Sequence, residues 1–236
     1  MRRIHIAMLS VSAVALLAQT GIAQETVNKV SGGGVTLAGW TGKIDASREN
    51  TGLTLADGKL EAFGNGGMHV VTGPAASYWN AANTASGNYT VKATFHEPKF
   101  QGLNSHPHPY GIMIGGNDLG TDNQSLLYCA AYGDGRFIVR GFAPGTPRGT
   151  FQMNGGGEKN DAIHKASAVG AEVQQEIAVS VKGDKVECAI NGTVVGSYDK
   201  SAVVGTGKLK STDGVYGIRF GHNTEAHVSG FTMTKQ

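Results

Sequence analysis

The stretch NYTVKATFH, residues 88–96, decides the fold because its apolar and polar side chains alternate. The apolar residues stand at 89, 91, 93 and 95, and polar residues stand between them. Successive side chains of a β-strand point to opposite faces, so this spacing predicts a half-buried strand with one face in a core. The same period recurs along the chain, at Ile112 and Ile114, Phe137 and Val139, Ile177 to Val181, Tyr216 to Phe220, and Phe231 and Met233.

Short glycine-containing segments separate these predicted strands. Residues 133–135 (GDG), 182–185 (KGDK) and 191–193 (NGT) each lie between two apolar runs and are typical of hairpin turns. No segment carries a long amphipathic helical stripe, and short helical turns are expected only at 80–85 and 200–204. The chain is therefore predicted to be all-β, a single antiparallel β-sandwich.

The first 23 residues have the features of a cleavable signal peptide. Arg2 and Arg3 precede an apolar run from residue 6 to residue 18, and small residues stand at 21 and 23. The run is shorter than the ~20 apolar residues that span a bilayer, which favours secretion over a membrane anchor. We therefore expect an exported protein, periplasmic or extracellular, with a signal peptide over 1–23, a flexible segment over 24–34 and one sandwich domain over 35–236.

Charge and composition exclude several classes of partner. Two of the 20 basic residues belong to the predicted signal peptide, so the mature chain has 18 basic and 18 acidic residues. It shows no basic stripe, which argues against a nucleic-acid partner, and no later apolar stretch long enough to span a membrane. The 36 glycines are dispersed without a fixed period, as in a protein with many tight turns.

The two cysteines, Cys129 and Cys188, both lie in predicted strands. The alternation of Val186, Cys188 and Ile190 directs Cys188 into the core. An even number of cysteines in an exported chain permits a disulfide, but a buried free cysteine also packs as a small hydrophobe. The sequence leaves both alternatives open because it does not give the distance between the two Cα atoms.

Two C-terminal segments resemble a known superfamily. EIAVSVKGDKVECAINGTVVGSYD (176–199) and DGVYGIRFGHNTEAHVSGFTMTK (213–235) resemble concanavalin A-like and laminin-G-like jelly rolls. WTGKID (40–45) and ADGKL (56–60) are similar to bacterial exported domains of the 3-keto-disaccharide hydrolase-like group. The resemblance implies a jelly roll over most of residues 35–235. The Glu-x-Asp-x-x-Glu strand of glycosidases with this fold is missing, so no catalytic residue carries over.

The segment His106-Pro107-His108-Pro109 combines potential metal ligands with stiff backbone. Histidines two apart in a strand share a face, as a pair of metal ligands requires. The prolines instead favour polyproline II, which splays such residues apart, so a rigid loop leading into a strand at Tyr110 is the alternative. A third metal ligand would have to come from His96, Asp118 or Asp122.

The segment 117–123, NDLGTDN, gathers oxygen ligands around a glycine. Calcium prefers such ligands, and calcium is frequent in concanavalin A-like domains, so the resemblance implies that Asp118 and Asp122 could bind it. The spacing does not match an EF-hand loop, and an Asx-rich turn is the alternative.

Aromatic and amide side chains provide the candidate sugar site. Sugars stack their C–H faces on aromatic rings and bind planar polar groups through their hydroxyls. Trp79 and Asn80 supply both kinds of group, although a tryptophan between glycine-rich turns commonly packs in the core. Arg136, Arg140 and Arg219 fall on outward-facing strand positions, where they could line one sheet face or simply be solvated.

Three functional hypotheses follow, and the sequence leaves open whether the chain is an enzyme. In the first, the protein recognises a carbohydrate without cleaving it. The second is a hydrolase of 3-keto glycosides, with His106 or His108 as general base or metal ligand. The third is an interaction module of the cell envelope that binds its partner through the long polar loop 143–170. In the first hypothesis the ligand-binding residues would be Trp79, Asn80, His106, His108, Tyr110, Asn117 and Asp118.

Overall fold

The computed structural model describes residues 26–102, 108–146, 149–154 and 157–236. The predicted signal peptide, 1–23, and the predicted site residue His106 therefore lie outside the described residues. No helix in the described part of the chain is long and apolar enough to cross a membrane.

The described residues form sixteen strands and one four-residue α-helix, α1. Two short 3-10 turns cover Arg48–Asn50 and Leu55–Asp57. The strands are β1 (Gly34–Val35), β2 (Trp40–Ile44), β3 (Lys59–Phe63), β4 (Gly67–Val71), β5 (Ala76–Ala85), β6 (Tyr89–Glu97), β7 (Tyr110–Asn117), β8 (Ser125–Ala131), β9 (Arg136–Phe142), β10 (Thr150–Gln152), β11 (Glu158–Lys159), β12 (Val173–Lys182), β13 (Lys185–Ile190), β14 (Thr193–Asp199), β15 (Gly214–Phe220) and β16 (Glu225–Lys235), and α1 is Lys200–Val203.

The strands form two sheets. Sheet A has the order β1-β3-β4-β16-β6-β12-β13-β14, and sheet B has the order β10-β9-β8-β7-β15-β5-β2, with β11 also paired to β9. Every pairing is antiparallel except that of β1 with β3. The predicted antiparallel sandwich is confirmed.

Strand β6, which contains the stretch 88–96, lies in the middle of sheet A between β16 and β12. Tyr89, Val91, Ala93 and Phe95 are each at most 1% exposed. Phe95 packs against sheet B, with its ring centroid 5.5 Å from that of Tyr110 and 6.0 Å from that of Phe220. The alternation in the sequence thus places one face of β6 in the core and leaves the other on the outside of the sandwich.

A disulfide between Cys129 and Cys188 joins the two sheets, with a Cα–Cα distance of 5.8 Å. Cys129 lies on β8 of sheet B, and Cys188 lies on β13 of sheet A with its buried neighbours Val186 and Ile190. The inward direction predicted for Cys188 agrees with this position. The link adds a covalent tie across the apolar core.

The local predictions have mixed outcomes. Asn191 and Gly192 have φ values of 50° and 81° and form the turn between β13 and β14, as the sequence predicts. The helix over Lys200–Val203 agrees with the expected turn at 200–204. The helical turn expected at 80–85 is wrong, because these residues continue β5, which pairs with β2 and β15.

Two parts of the chain predicted to lack regular structure are tied to the sandwich. In the N-terminal segment, Asn28 N donates to Asn223 Oδ1 at 2.8 Å, and Val30 N donates to the Asp57 carbonyl at 3.1 Å. In the loop 143–170, β10 and β11 pair with β9, and Ile163 is buried in the core.

Glu97, the last residue of β6, is a buried carboxyl group at the edge of the core. It is 3% exposed, and one of its oxygens accepts a 3.4 Å hydrogen bond from Gln101 N. Burial raises the pKa of the Glu97 carboxyl to about 7, and the hydrogen bond from Gln101 only partly opposes this effect. The folded protein therefore holds a proton that the unfolded chain releases at lower pH.

Because of the Glu97 carboxyl group, we expect the free energy of unfolding to fall as pH rises. The unfolded glutamate ionises near pH 4.5 and the folded one near pH 7, so between these values the unfolded state loses its proton first. The loss amounts to about 3 kcal/mol at most and is complete above the folded pKa. In urea unfolding, Glu97→Gln should therefore gain stability relative to wild type on going from about pH 4.5 to about pH 8. An equal stability difference between the two proteins at both pH values would contradict the assignment.

Candidate ligand-binding cleft

On the outer face of sheet B, residues of five neighbouring strands share one cross-strand row. The register pairs Trp79 with Gly217, Gly217 with Met113, Met113 with Tyr128, and Tyr128 with Arg140. The preceding row contains Arg219 of β15, which pairs with Gly111 of β7. The single row between them, which contains Ile218, faces the core, so these two rows point away from it.

The middle of this outer face is apolar and covered. Met113, Leu126 and Ala130 are fully buried, and Trp79 and Ile138 are nearly so. The turn after β7 contributes the cover, since Leu119 packs on this cluster and a Cβ on Gly120 would lie 3.8 Å from the Trp79 ring. The apolar cluster forms a firm base for the polar groups beside it.

A cleft of about 770 Å³ opens next to this cluster. Its walls come from residues 45–49 after β2, from Thr121, Asp122 and Gln124 after β7, and from residues 143–145 and 149–150 around β10. Tyr128, Phe142 and the two outward-facing arginines also line it. Four basic and three acidic side chains face the cleft, namely Lys43, Arg48, Arg140 and Arg219, and Asp45, Glu49 and Asp122.

Arg219 is the buried charge of the cleft, and Asp45 neutralises it. The guanidinium Nη2 lies 2.5 Å from Asp45 Oδ2, and only 5% of Arg219 is exposed. The guanidinium carbon also lies 5.4 Å from the ring centroid of Tyr128 and 5.3 Å from that of Phe142, a cation–π arrangement. Burial acts to lower the pKa of Arg219, but the charge of Asp45 outweighs it and the net shift is upward. The cation is therefore fixed in place and permanently charged.

Two guanidinium nitrogens in the cleft keep unused hydrogen-bonding capacity. Arg140 Nη2 donates to Thr150 Oγ1 at 2.9 Å. Arg140 Nε and Arg219 Nη1 are buried and have no hydrogen-bond partner among the described residues. A buried donor without a partner is costly, and Arg140, which is partly exposed, could regain a partner by turning Nε towards a ligand oxygen in the cleft.

The predicted stacking residue Trp79 is part of the covered cluster. It is 6% exposed and is not among the residues that line the cleft. Asn80, the next residue of β5, points to the opposite face of the sheet because side chains alternate along a strand. Its Oδ1 accepts a 2.9 Å hydrogen bond from Ala82 N, so the structure does not bring the two residues together in one site.

Two residues predicted to bind the ligand, Tyr110 and His108, lie inside the protein. Tyr110 is fully buried between the sheets against Phe95 and Phe220, where a ligand on the surface cannot reach it. The reason is that Tyr110 already belongs to β7 and occupies an inward position. His108 is 6% exposed, and its ring centroid lies 3.8 Å from that of His222. Neither residue lines the cleft.

The residues predicted to bind calcium pair with other groups. Asn117 Nδ2 donates to the carbonyl oxygens of Gly115 and Asp213. Asp118 forms an ion pair with Lys210, and Asp122 lies 3.6 Å from Lys43 Nζ. These two carboxylates do not belong to a cluster of three or more metal-ligating side chains in the described part of the chain. Asp118, with φ of 50°, sits in the Asx-rich turn that was the alternative.

Sequence reasoning identified the outward direction of Arg140 and Arg219 but not the cleft that they share. Asp45 lies in the WTGKID segment, and Tyr128 lies in the apolar run SLLYCAA. The available signal was an arginine flanked by apolar residues in VYGIRF, since such a residue often needs a carboxylate partner. Which carboxylate it meets depends on the pairing of β15 with β5 and of β5 with β2, which is non-local.

The fold can be compared with known proteins. No family model and no curated protein sequence matches the chain. Among solved structures, the carbohydrate-binding module CBM66 from Bacillus subtilis aligns with a TM-score of 0.52 at 11% identity, covering 86% of this chain and 99% of that one. A putative glycosyl hydrolase from Parabacteroides distasonis gives 0.48 at 12% identity, covering 83% and 100%. A Bacteroides ovatus mixed-linkage glucan GH16 protein gives 0.48 at 11% identity, covering 80% and 92%.

At these low sequence identities the structural similarity shows the fold alone. The chain is an all-β jelly-roll sandwich, and its fold is similar to that of the carbohydrate-binding module.

Removing either partner of the Asp45–Arg219 ion pair should lower the free energy of unfolding, but by different amounts. Asp45→Ala leaves the Arg219 guanidinium buried without its carboxylate and should lower the free energy of unfolding by about 3 kcal/mol. Arg219→Met leaves Asp45, which is more exposed and can be solvated, and should cost about 1 kcal/mol. Urea unfolding of both variants measures the two losses, and a larger loss for Arg219→Met would contradict this account.

Proposed function

We propose that this protein is an exported carbohydrate-recognising β-sandwich that binds its ligand in the cleft on the outer face of sheet B. The observation that carries the proposal is the cleft itself, in which fixed guanidinium groups with unused N–H donors adjoin aromatic rings. Sugars present hydroxyl acceptors and apolar C–H faces side by side, and proteins bind them with planar polar groups beside aromatic rings.

In this proposal Arg140 donates hydrogen bonds to the ligand, Phe142 supplies the apolar contact, and Arg219 supplies a fixed positive charge beneath them. Arg219 is held by Asp45 and by the rings of Tyr128 and Phe142, so it fixes the ring of Phe142 before a ligand binds and little conformational entropy is lost there. Arg140 is only partly buried, and a small rotation of its side chain would turn Nε towards the cleft. The near balance of acidic and basic side chains suits a neutral or weakly charged ligand.

The fold comparison supports this proposal without deciding it. The aligned module from Bacillus subtilis is named as a carbohydrate-binding module, and a shared fold is an association rather than a mechanism. The chemical support for carbohydrate binding comes from the residues of the cleft.

Export is the second part of the proposal. The N-terminal 23 residues have the pattern of a signal peptide, and the disulfide between Cys129 and Cys188 suits an oxidising compartment, periplasmic or extracellular.

The hydrolase and interaction hypotheses have less support. A hydrolase of 3-keto glycosides was expected to use His106 or His108, and His108 is buried away from the cleft. The loop 143–170 was expected to contact a protein partner, but residues 143–145 and 149–150 form a wall of the same cleft. We therefore propose that this loop helps to bind the carbohydrate.

A glycan array followed by calorimetry tests the proposal. The purified protein should bind one glycan class, and Arg140→Ala should weaken that binding by about 10- to 100-fold, the value of a charge-assisted hydrogen bond. The matched control is Arg136→Ala, which removes the same charge from the same strand but from an arginine paired with Asp134 outside the cleft. Repeating the array with calcium and with chelator tests the ion proposed at Asp118 and Asp122.

Two results would contradict the proposal. One is an array without binding in either condition. The other is an Arg140→Ala variant that binds its glycan as tightly as the Arg136→Ala control.

A further inference from the structure

The outer face of sheet A, on the opposite side of the sandwich from the cleft, carries a row of histidines. The register pairs Glu61 of β3 with His69 of β4, His69 with His227 of β16, and His227 with His96 of β6. Directly paired residues on one sheet face have Cβ atoms about 5 Å apart. The ring centroids of His69 and His227 are 4.9 Å apart, and those of His227 and His96 are 5.8 Å apart. Four adjacent strands thus contribute one side chain each to a single row.

Glu225 completes the group from the strand that carries His227. It lies two residues earlier on β16, so its side chain is on the same face. One ligand atom each from His69, Glu225 and His227 lie within 4.8 Å of one another. Ligands of a tetrahedral ion at about 2.1 Å are roughly 3.4 Å apart, and these half-exposed side chains need only small rotations to close to that distance.

The contacts of His69 already orient it as a metal ligand. Its Nδ1 lies 3.0 Å from Glu61 Oε1, and its Nε2 lies 3.0 Å from Glu225 Oε1. A metal-binding histidine characteristically donates its other ring N–H to a carboxylate, which fixes the tautomer. With Glu61 accepting from Nδ1, the Nε2 lone pair points to Glu225 and His227. His96 has a similar carboxylate partner, since its Nε2 lies 2.9 Å from Glu172 Oε2.

Phe63 packs against His227, the second histidine of the proposed site. Its ring stacks on that of His227 with centroids 3.9 Å apart and an interplanar angle of 3°. The aromatic ring covers one face of the imidazole and limits its rotation, while Phe63 itself remains 46% exposed. Such an exposed aromatic residue has no role in the core.

From this arrangement we infer that His69, His227 and Glu225 bind a divalent transition-metal ion, with Glu61 orienting His69. Two imidazoles and one carboxylate suit Zn²⁺. Three protein ligands leave the fourth position of the ion to His96 or to a molecule from solution. The site is separate from the proposed carbohydrate cleft and does not depend on it.

Zinc titration by calorimetry tests this inference on the purified full chain, after chelator treatment and dialysis. One Zn²⁺ should bind per chain and raise the unfolding temperature. His227→Ala and Glu225→Gln should each weaken binding by more than about 10-fold, and Glu61→Gln should weaken it by roughly 10- to 100-fold as an orienting residue. All these side chains lie on the outer face, so the circular dichroism of the metal-free variants should match that of wild type.

Two control variants separate this site from other histidines. His164→Ala removes an exposed histidine outside the row and should leave zinc binding unchanged. His106→Ala tests the rival site in the His-Pro-His-Pro segment and should also leave binding unchanged. A wild-type chain that binds no zinc, or zinc binding that is lost in His106→Ala and retained in His227→Ala, would overturn the inference.

Discussion

The packing of the two sheets against each other is the constraint on which the rest of the structure depends. Each strand must give every second side chain to the space between the sheets, because a side chain that points the other way cannot reach the core. On β6 this rule buries Phe95 and leaves His96 partly exposed on the other face. The polar side chains of each sheet therefore lie on its outer face. The apolar core with its disulfide separates the two outer faces.

The two outer faces use polar residues in different ways. On sheet B, Arg219 is buried against Asp45 and two aromatic rings, so a charge is held rigidly beside an apolar cluster. On sheet A, His69 and His227 stay partly exposed, His69 contacts two carboxylates, and the two rings contact each other. The first arrangement suits recognition of an oxygen-rich organic ligand, and the second suits binding of an ion.

The sequence predicts the structure correctly where it depends on interactions between residues that are close together in the chain. Alternation identified the core face of 88–96, and the Asn191-Gly192 dipeptide identified a hairpin, because strand faces and turns depend on neighbouring residues. The row of His69, His227 and His96 could not be predicted, since it requires the register between strands that are far apart in the chain. Tyr110 was misplaced because it was grouped with the His-Pro segment, although a strand that begins at Tyr110 puts its side chain on the same buried face as Ile112 and Ile114.

The central claim is that the sandwich carries two separate sites on opposite outer faces. The most direct measurement is an amide NMR titration of one sample, first with Zn²⁺ and then with the glycan that binds best. We expect zinc to shift resonances of β3, β4, β16 and β6, and the glycan to shift those of β8, β9, β15 and the walls of the cleft. Both ligands shifting the same set of amides, or either one shifting residues of the opposite sheet, would contradict the account.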